Sequence, residues 1–154
     1  SNAQNWTSQL YNATALGEDT AADSMGYAAR AYWMPEETGT AVPEISVGYD
    51  VKVWDEAANG TVDEAASWMI GLTWKDIMRA DDRIGIALTQ PLKATSVAGG
   101  GDTGEVDDPL LWEVYYSWKV NDSMSVTPAI FGGRDSFTDG EDTSGAVVTT
   151  AFKF

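Results

Sequence analysis

Two pairs of adjacent carboxylates are the residues of this sequence that come closest to a catalytic arrangement. Asp81 and Asp82 form one pair, and Asp107 and Asp108 form the other. Two carboxylates can hydrolyse a glycosidic bond when they flank it. Adjacent residues on a strand or turn point apart, so neither pair can flank one bond. The chain has no Cys and no His, which excludes thiolate nucleophiles, imidazole bases, disulfides and Cys/His zinc sites. We therefore expect no catalytic residue and no enzymatic activity.

Acidic segments rich in glycine are the other candidates for chemistry. The stretches GGGDTGEVDD and TDGEDTSG supply oxygen ligands but match no calcium-loop spacing. The formal net charge of −15 would repel phosphate backbones, so nucleic acid is not an expected partner. The sequence predicts no metal site and no cofactor.

The elements that position these residues are strands. Apolar residues alternate with small or polar ones in blocks of about ten, separated by turn-rich breaks. In EISVGYDVKVW the odd-numbered positions are Ile, Val, Tyr, Val and Val, and the even-numbered ones include Ser, Gly, Asp and Lys. The pattern predicts an all-β, antiparallel up-and-down meander of about eight strands. Their expected ranges are 5–16, 25–34, 44–55, 66–78, 83–93, 110–120, 123–133 and 145–154.

The connections between the predicted strands alternate in length. Arg79–Asp82 and Asn121–Asp122 read as tight turns, Pro35–Pro43 as a stiff intermediate one, and the others as long acidic loops. Short turns at one end of a sheet and long loops at the other are typical of a transmembrane β-barrel. Strands of about ten residues are also long enough to cross hydrocarbon at a tilt, whereas globular strands average about five or six.

The two faces of the predicted strands differ in character. Large aromatic residues fall on the apolar faces, several near strand ends, where the interfacial girdles of a barrel would place them. We predict that these side chains face lipid: Trp33, Trp68, Trp74, Trp112, Tyr116 and Trp118. This hypothesis requires Trp68, Trp112 and Val47 to lie outside any watertight interior.

The opposite faces combine small residues with isolated charges. A soluble core cannot hold such a set without pairing every charge, whereas a water-filled lumen can, and there the charges would tune ion selectivity. The predicted pore-lining residues are Arg30, Asp50, Lys52, Lys75, Glu113 and Lys119. Two alternatives remain open at this point: an ordinary solvated sheet face, or a soluble β-sandwich that binds carbohydrate on exposed Trp side chains, with acidic loops that hold Ca²⁺.

Several segments, taken in order, resemble a known family. They are ARAYWMPEETGTAVPEISVGYD, MIGLTWKDIMRADDRIGIALTQP, LLWEVYYSWKVNDSMSVTPAIF and the terminal GAVVTTAFKF. Together, over Met25–Phe154, they resemble the C-terminal half of cyanobacterial outer-membrane porins related to the carbohydrate-selective OprB group. The resemblance implies a β-barrel in the outer membrane of a Gram-negative-type bacterium, passive diffusion of small hydrophilic solutes and inorganic ions, and transport that extends to sugars or iron.

The resemblance also implies partners. In such proteins a terminal strand ending in Phe is read by the barrel-assembly machinery, and Phe152 and Phe154 match that signal. The other implied partners are outer-membrane lipid and, in full length, two further copies in a trimer. Ser1–Ala3 resembles a tag remnant, which leaves residues 4–154 as one C-terminal porin β-barrel region of a longer protein. Because unpaired sheet edges drive association, we expect this fragment to close on itself or to pair with a second copy.

Overall fold

Seven strands make up the regular structure of the protein in a computed structural model that describes residues 23–103, 109–134 and 142–153. Each strand is ten to fifteen residues long, and each follows a stretch in which β-branched or aromatic residues alternate with small or polar ones. The strands are β1 Ser24–Trp33, β2 Glu44–Trp54, β3 Val62–Lys75, β4 Arg83–Val97, β5 Leu110–Asn121, β6 Met124–Arg134 and β7 Asp142–Phe152.

The strands form one sheet in chain order, from β1 to β7. The β4–β5, β5–β6 and β6–β7 pairs are antiparallel, with Leu88 opposite Trp112 and Val114 opposite Ile130. The ladder of β5 and β6 is interrupted only by an irregularity between Lys119 and Asn121. The predicted antiparallel meander is therefore confirmed, and the predicted strand over 5–16 lies outside the described residues.

The third and fourth strands are longer than predicted at the end that carries the loops. β3 begins at Val62 rather than at residue 66, and β4 continues to Val97 rather than ending at residue 93. The acidic pair Asp63–Glu64 is typical of a loop, but the Thr95 hydroxyl donates a hydrogen bond to Glu64 Oε1 at 2.8 Å. The two strands thus continue through residues whose polarity predicts a loop.

The predicted contrast in connection length is weaker than expected. The β5–β6 connection is a tight turn, as predicted, although it spans 122–123 rather than Asn121–Asp122. The β3–β4 connection spans 76–82 instead of Arg79–Asp82. It is as long as the opposite connection at 55–61. The reason is local: the Asp82 carboxylate accepts the backbone N–H groups of Ile77, Met78 and Arg79 at 3.0, 3.1 and 2.9 Å. These amides therefore leave the strand ladder and close a compact turn.

Burial in the described sheet is the reverse of that in a soluble domain. Among the described residues, the buried hydrophobic core consists of Trp54 and four alanines, whereas twenty-three large hydrophobic side chains are exposed. Val47 is 40 % exposed and Trp112 is 38 % exposed. Within the described ranges the strands form a single sheet, so the β-sandwich alternative, which needs a second sheet, is not supported.

The described residues divide into two compact units. One comprises 23–29, 49–67 and 92–103, and it contains the small core in which Trp54 packs with Ala65 and Ala94. The other comprises 30–48, 68–91, 109–134 and 142–153. Over the part of the chain that the structure describes, no helix has the length and apolarity needed to cross a membrane.

Candidate functional site

One face of the sheet, here called the polar face, carries the charged residues that the sequence pattern singled out. In the second unit, Arg30 lies against Gly48, where an added Cβ atom would come within 3.0 Å of the arginine Cδ atom. Lys75 forms an ion pair with Glu44, which is buried, and the Tyr32 hydroxyl hydrogen bonds to the same carboxylate. In this unit Arg30 therefore fits against a glycine, and the buried Glu44 is paired with a lysine and a tyrosine.

The polar face of the first unit also combines charged side chains with polar or aromatic partners. The Ser67 hydroxyl donates a hydrogen bond to Asp50 Oδ2 at 3.3 Å. Lys52 places its ammonium 4.8 Å from the centre of the Trp54 ring, a cation–π distance. Strand alternation puts Asp50, Lys52 and Trp54 on one side of β2.

The remaining two predicted pore-lining residues lie on β5 in the second unit. Glu113 is exposed and pairs with Ala87 on one side and Phe131 on the other. Lys119 lies near the tight turn, with its Nζ atom 3.4 Å from Asp81 and 3.3 Å from Asp122. The structure therefore places each of the six predicted residues on the polar side of its own strand.

The other face, here called the apolar face, carries the predicted lipid-facing aromatic residues. Several lie at the end of the sheet with the 76–82 turn and use their polar atoms there. Trp74 Nε1 donates to the Ala41 carbonyl at 2.9 Å, and the Tyr116 hydroxyl donates to Asp82 Oδ2 at 3.0 Å. Trp118 stacks on Tyr116 with 5.5 Å between ring centres, and Trp33 is the last residue of β1. These aromatic rings are therefore hydrogen bonded through their polar atoms or stacked at one end of the strands.

The other two aromatic residues of the set lie away from this end. Trp68 is in the middle of β3, and its Nε1 atom donates to Gln90 Oε1 at 3.0 Å. The two polar groups thereby satisfy each other on an otherwise apolar surface. Trp112 lies near the opposite end of β5, on the same side as Leu88 and Val114.

Asp82 is the one fully buried acidic side chain of the 76–82 turn, with 1 % of its surface exposed. Burial opposes its ionisation, but the hydrogen bonds from Tyr116 and from three backbone N–H groups outweigh burial and hold the pKa of Asp82 below its ordinary value. Its neighbour Asp81 points to Lys119 instead. The two adjacent carboxylates therefore serve different structural contacts and do not flank a common point.

Sequence reasoning missed three aromatic residues on the polar side. Trp54 is buried in the first unit, although its neighbours in the strand pattern gave no sign of a core. Tyr115 and Phe131 lie against Gly85 and Gly145 in the second unit. Each ring faces a glycine on the adjacent strand, and this pairing cannot be read from the sequence until the register is known.

Other predicted features have simpler outcomes. Phe152 is exposed at the end of β7, opposite Met124, while Phe154, Asp107 and Asp108 lie outside the described residues. No group of three or more acidic residues suited to a metal ion occurs in the described ranges. What the arrangement offers is a sheet that presents hydrocarbon-like side chains on one side and charges on the other.

One comparison with known proteins identifies a family. The sequence profile of the carbohydrate-selective porin OprB family matches residues 2–131, which is most of the 154-residue chain. No curated protein and no solved structure matches it.

Proposed function

Because the chain belongs to the carbohydrate-selective OprB porin family of the outer membrane, we propose that it forms part of a water-filled channel through which small hydrophilic solutes and inorganic ions diffuse passively. The family is one of channels and not of enzymes. In this proposal the apolar face contacts lipid and the polar face borders the aqueous lumen.

The division of the strands into two unlike faces is the observation that carries the proposal. Val47, Ile70 and Leu88 are exposed on one side, where water would be a poor solvent for them. Lys75 with Glu44, and Lys119 with two aspartates, lie on the other side, where lipid would be prohibitive. A wall between lipid and water satisfies both requirements.

The roles proposed for the individual residues follow from this division. Charges along the lumen change the local concentration of permeating ions, and aromatic side chains near strand ends anchor a barrel at the membrane interface. The proposed lumen-lining residues are Arg30, Asp50, Lys52, Lys75, Glu113 and Lys119. The proposed lipid-facing residues are Trp33, Trp68, Trp74, Trp112, Tyr116 and Trp118.

The test is ion selectivity in planar bilayers, measured as the reversal potential across a salt gradient. Asp50→Asn removes a negative charge and should shift permeability toward anions, and Lys52→Met removes a positive charge and should shift it toward cations. The opposite signs act as an internal control, and the double variant should lie near the wild type. Conductance with no change of selectivity in either variant would remove both residues from the lumen.

The finer features form the rest of the proposal. Sugars are the first expected solutes because of the family, with iron among the ions, and the quoted motifs favour a cyanobacterial source and a place in the C-terminal half of a longer porin. Phe152 and Phe154 would be read by the barrel-assembly machinery. Trimer formation in full length, and self-association of this chain, would cover the sheet edges. Flux of sugars and of iron into protein-loaded liposomes separates these solutes.

A further inference from the structure

Two aromatic rings on the polar face lie flat against the sheet. A Cβ atom added to Gly85 would overlap the Tyr115 ring and come within 2.6 Å of its hydroxyl oxygen, so the tyrosine covers this glycine. In the same way, a Cβ atom on Gly145 would lie 2.6 Å from Cζ of Phe131. Each ring crosses from its own strand onto the neighbouring strand, because the glycine there has no side chain to hold the ring off.

The reach of Tyr115 fixes the orientation of its ring. Tyr115 is on β5 and Gly85 on β4, and the tyrosine hydroxyl lies 3.4 Å from Oγ1 of Thr73 on β3. Adjacent strands are about 4.8 Å apart, so a side chain that reaches from β5 to a β3 side chain must lie along the sheet. One π-face of the ring then rests on β4 and the other faces away from the sheet. The partial burial of Tyr115 and the 38 % exposure of Phe131 agree with rings covered on one side.

A hydrogen-bond acceptor lies beside both rings. Glu113 is two residues before Tyr115 on the same side of β5, which separates their Cα atoms by about 7 Å, and it is directly opposite Phe131. Its other cross-strand neighbour is the small residue Ala87. The exposed Glu113 side chain therefore borders Phe131 across the strand pair and Tyr115 along β5.

Flat aromatic rings next to a carboxylate match the chemistry of a pyranose. The negative π-face attracts C–H groups, and a pyranose gathers C–H groups on one face and hydroxyl donors at its edge. We propose that Tyr115 and Phe131 are stacking platforms for pyranose solutes and that Glu113 accepts hydrogen bonds from their hydroxyl groups. This inference rests on the proposed channel function and adds a discrimination: a closed pyranose ring binds better than an open-chain polyol of the same size, because the open chain has no flat C–H face.

The test compares glucose with sorbitol as blockers of ion current through the channel in planar bilayers. Glucose should block the wild type at lower concentration than sorbitol. Tyr115→Ala and Phe131→Ala should each raise the dissociation constant for glucose between about twofold and tenfold, as expected for the loss of one aromatic contact. They should leave the constant for sorbitol unchanged. Tyr115→Phe should keep the discrimination, since it keeps the ring.

Two further variants separate binding from a purely structural role of the ring. In Tyr115→Ala/Gly85→Ala the new methyl group occupies space that the ring vacates, so the sheet is repacked without a platform, and glucose block should stay weak. Trp112→Leu removes an aromatic ring from the apolar face and should leave block by both solutes unchanged. The single-channel conductance of each variant shows that it has assembled.

The outcomes distinguish the platform from the channel. A conducting wild type that glucose and sorbitol block equally, or alanine variants that keep the glucose affinity, would overturn the platform and leave the channel proposal standing. A wild type that inserts into bilayers without conducting would overturn the channel proposal itself.

Discussion

A matched pair of substitutions at neighbouring positions of β4 tests the sidedness of the sheet. Leu88 lies on the apolar face opposite Trp112 and is 39 % exposed. Ala87 lies on the polar face opposite Glu113. Replacing each in turn by lysine adds the same charged group one residue apart, on opposite sides of the same strand.

The expected loss of stability in Leu88→Lys follows from the depth of Leu88 in the membrane. A strand rises about 3.3 Å per residue, and at a barrel tilt of about 40° this advances it about 2.5 Å along the membrane normal. Ile84 is level with Tyr116, which the proposed function places at the membrane interface. Leu88, four residues further along, should then lie about 10 Å deeper, close to the middle of an apolar band about 25 Å tall. Leu88→Lys should therefore destabilise the protein by about 2–4 kcal/mol in a bilayer.

Ala87→Lys should behave differently, because its ammonium enters the aqueous side opposite a carboxylate. A cross-strand pair of opposite charges contributes about 0.2–1 kcal/mol, so the stability of Ala87→Lys should equal or slightly exceed that of the wild type. Guanidinium unfolding in phosphatidylcholine vesicles, followed by tryptophan fluorescence, measures both variants under the same conditions.

Water on both faces would give another result. Surface substitutions in water usually change stability by no more than about 0.5 kcal/mol, and Leu88 is already partly exposed. A Leu88→Lys variant within that margin of the wild type would refute the assignment of lipid to the apolar face. An Ala87→Lys variant as unstable as Leu88→Lys would refute the assignment of water to the polar face.

Three further outcomes follow from local contacts. Gly133→Ala should destabilise by about 1–3 kcal/mol, because Gly133 has φ +132 and an added Cβ atom would overlap the β5 backbone, whereas Gly26→Ala, with nothing within 4 Å, should be neutral in the same unfolding assay. Trp68→Phe removes the indole N–H that donates to Gln90 and should lower the free energy of unfolding by about 1–3 kcal/mol. Adding Gln90→Leu should restore most of that stability, and equal stability of the single and double variants would contradict this. The pKa of Asp82 is lowered in the folded state, so its ionised form stabilises the fold fully above the unfolded pKa of about 3.9, and this stabilisation is lost as pH falls through the lower folded value. Asp82→Asn should flatten this acid dependence of the unfolding midpoint. An unchanged slope would exclude Asp82 as its source.

Much of this fold follows from alternation. The segment around Val47 shows a period of two, and so does the segment around Trp112, and both are strands whose apolar residues share a side. Alternation says which residues share a side of one strand, but it carries no register between strands. For that reason the contact of the Tyr115 ring with Gly85, and of the Phe131 ring with Gly145, could not be predicted.

The 76–82 turn shows a second limit of sequence reasoning. Ile77 and Met78 continue an apolar pattern, so local propensity extends β3 through them. The Asp82 carboxylate instead accepts hydrogen bonds from these amides and from a third one, together with the Tyr116 hydroxyl. The three hydrogen bonds from the amides replace the ones that these amides would make in a longer β3 strand. A carboxylate that accepts several hydrogen bonds in this way depends on how the chain folds back, and a local sequence pattern does not show that.

The distribution of burial decides which solvents this sheet needs. Its buried hydrophobic residues are mostly alanines, while Val148 and Phe152 are exposed and the acidic Glu44 and Asp82 are buried. In water such a layer would lack the apolar burial that offsets the entropy of ordering the chain, and in lipid alone its polar face would carry uncompensated charges. A sheet whose ladder satisfies its own backbone groups can stand between the two solvents. The two-faced composition is therefore a condition of folding as well as of transport, and a substitution that makes the faces alike should impair assembly before it alters selectivity.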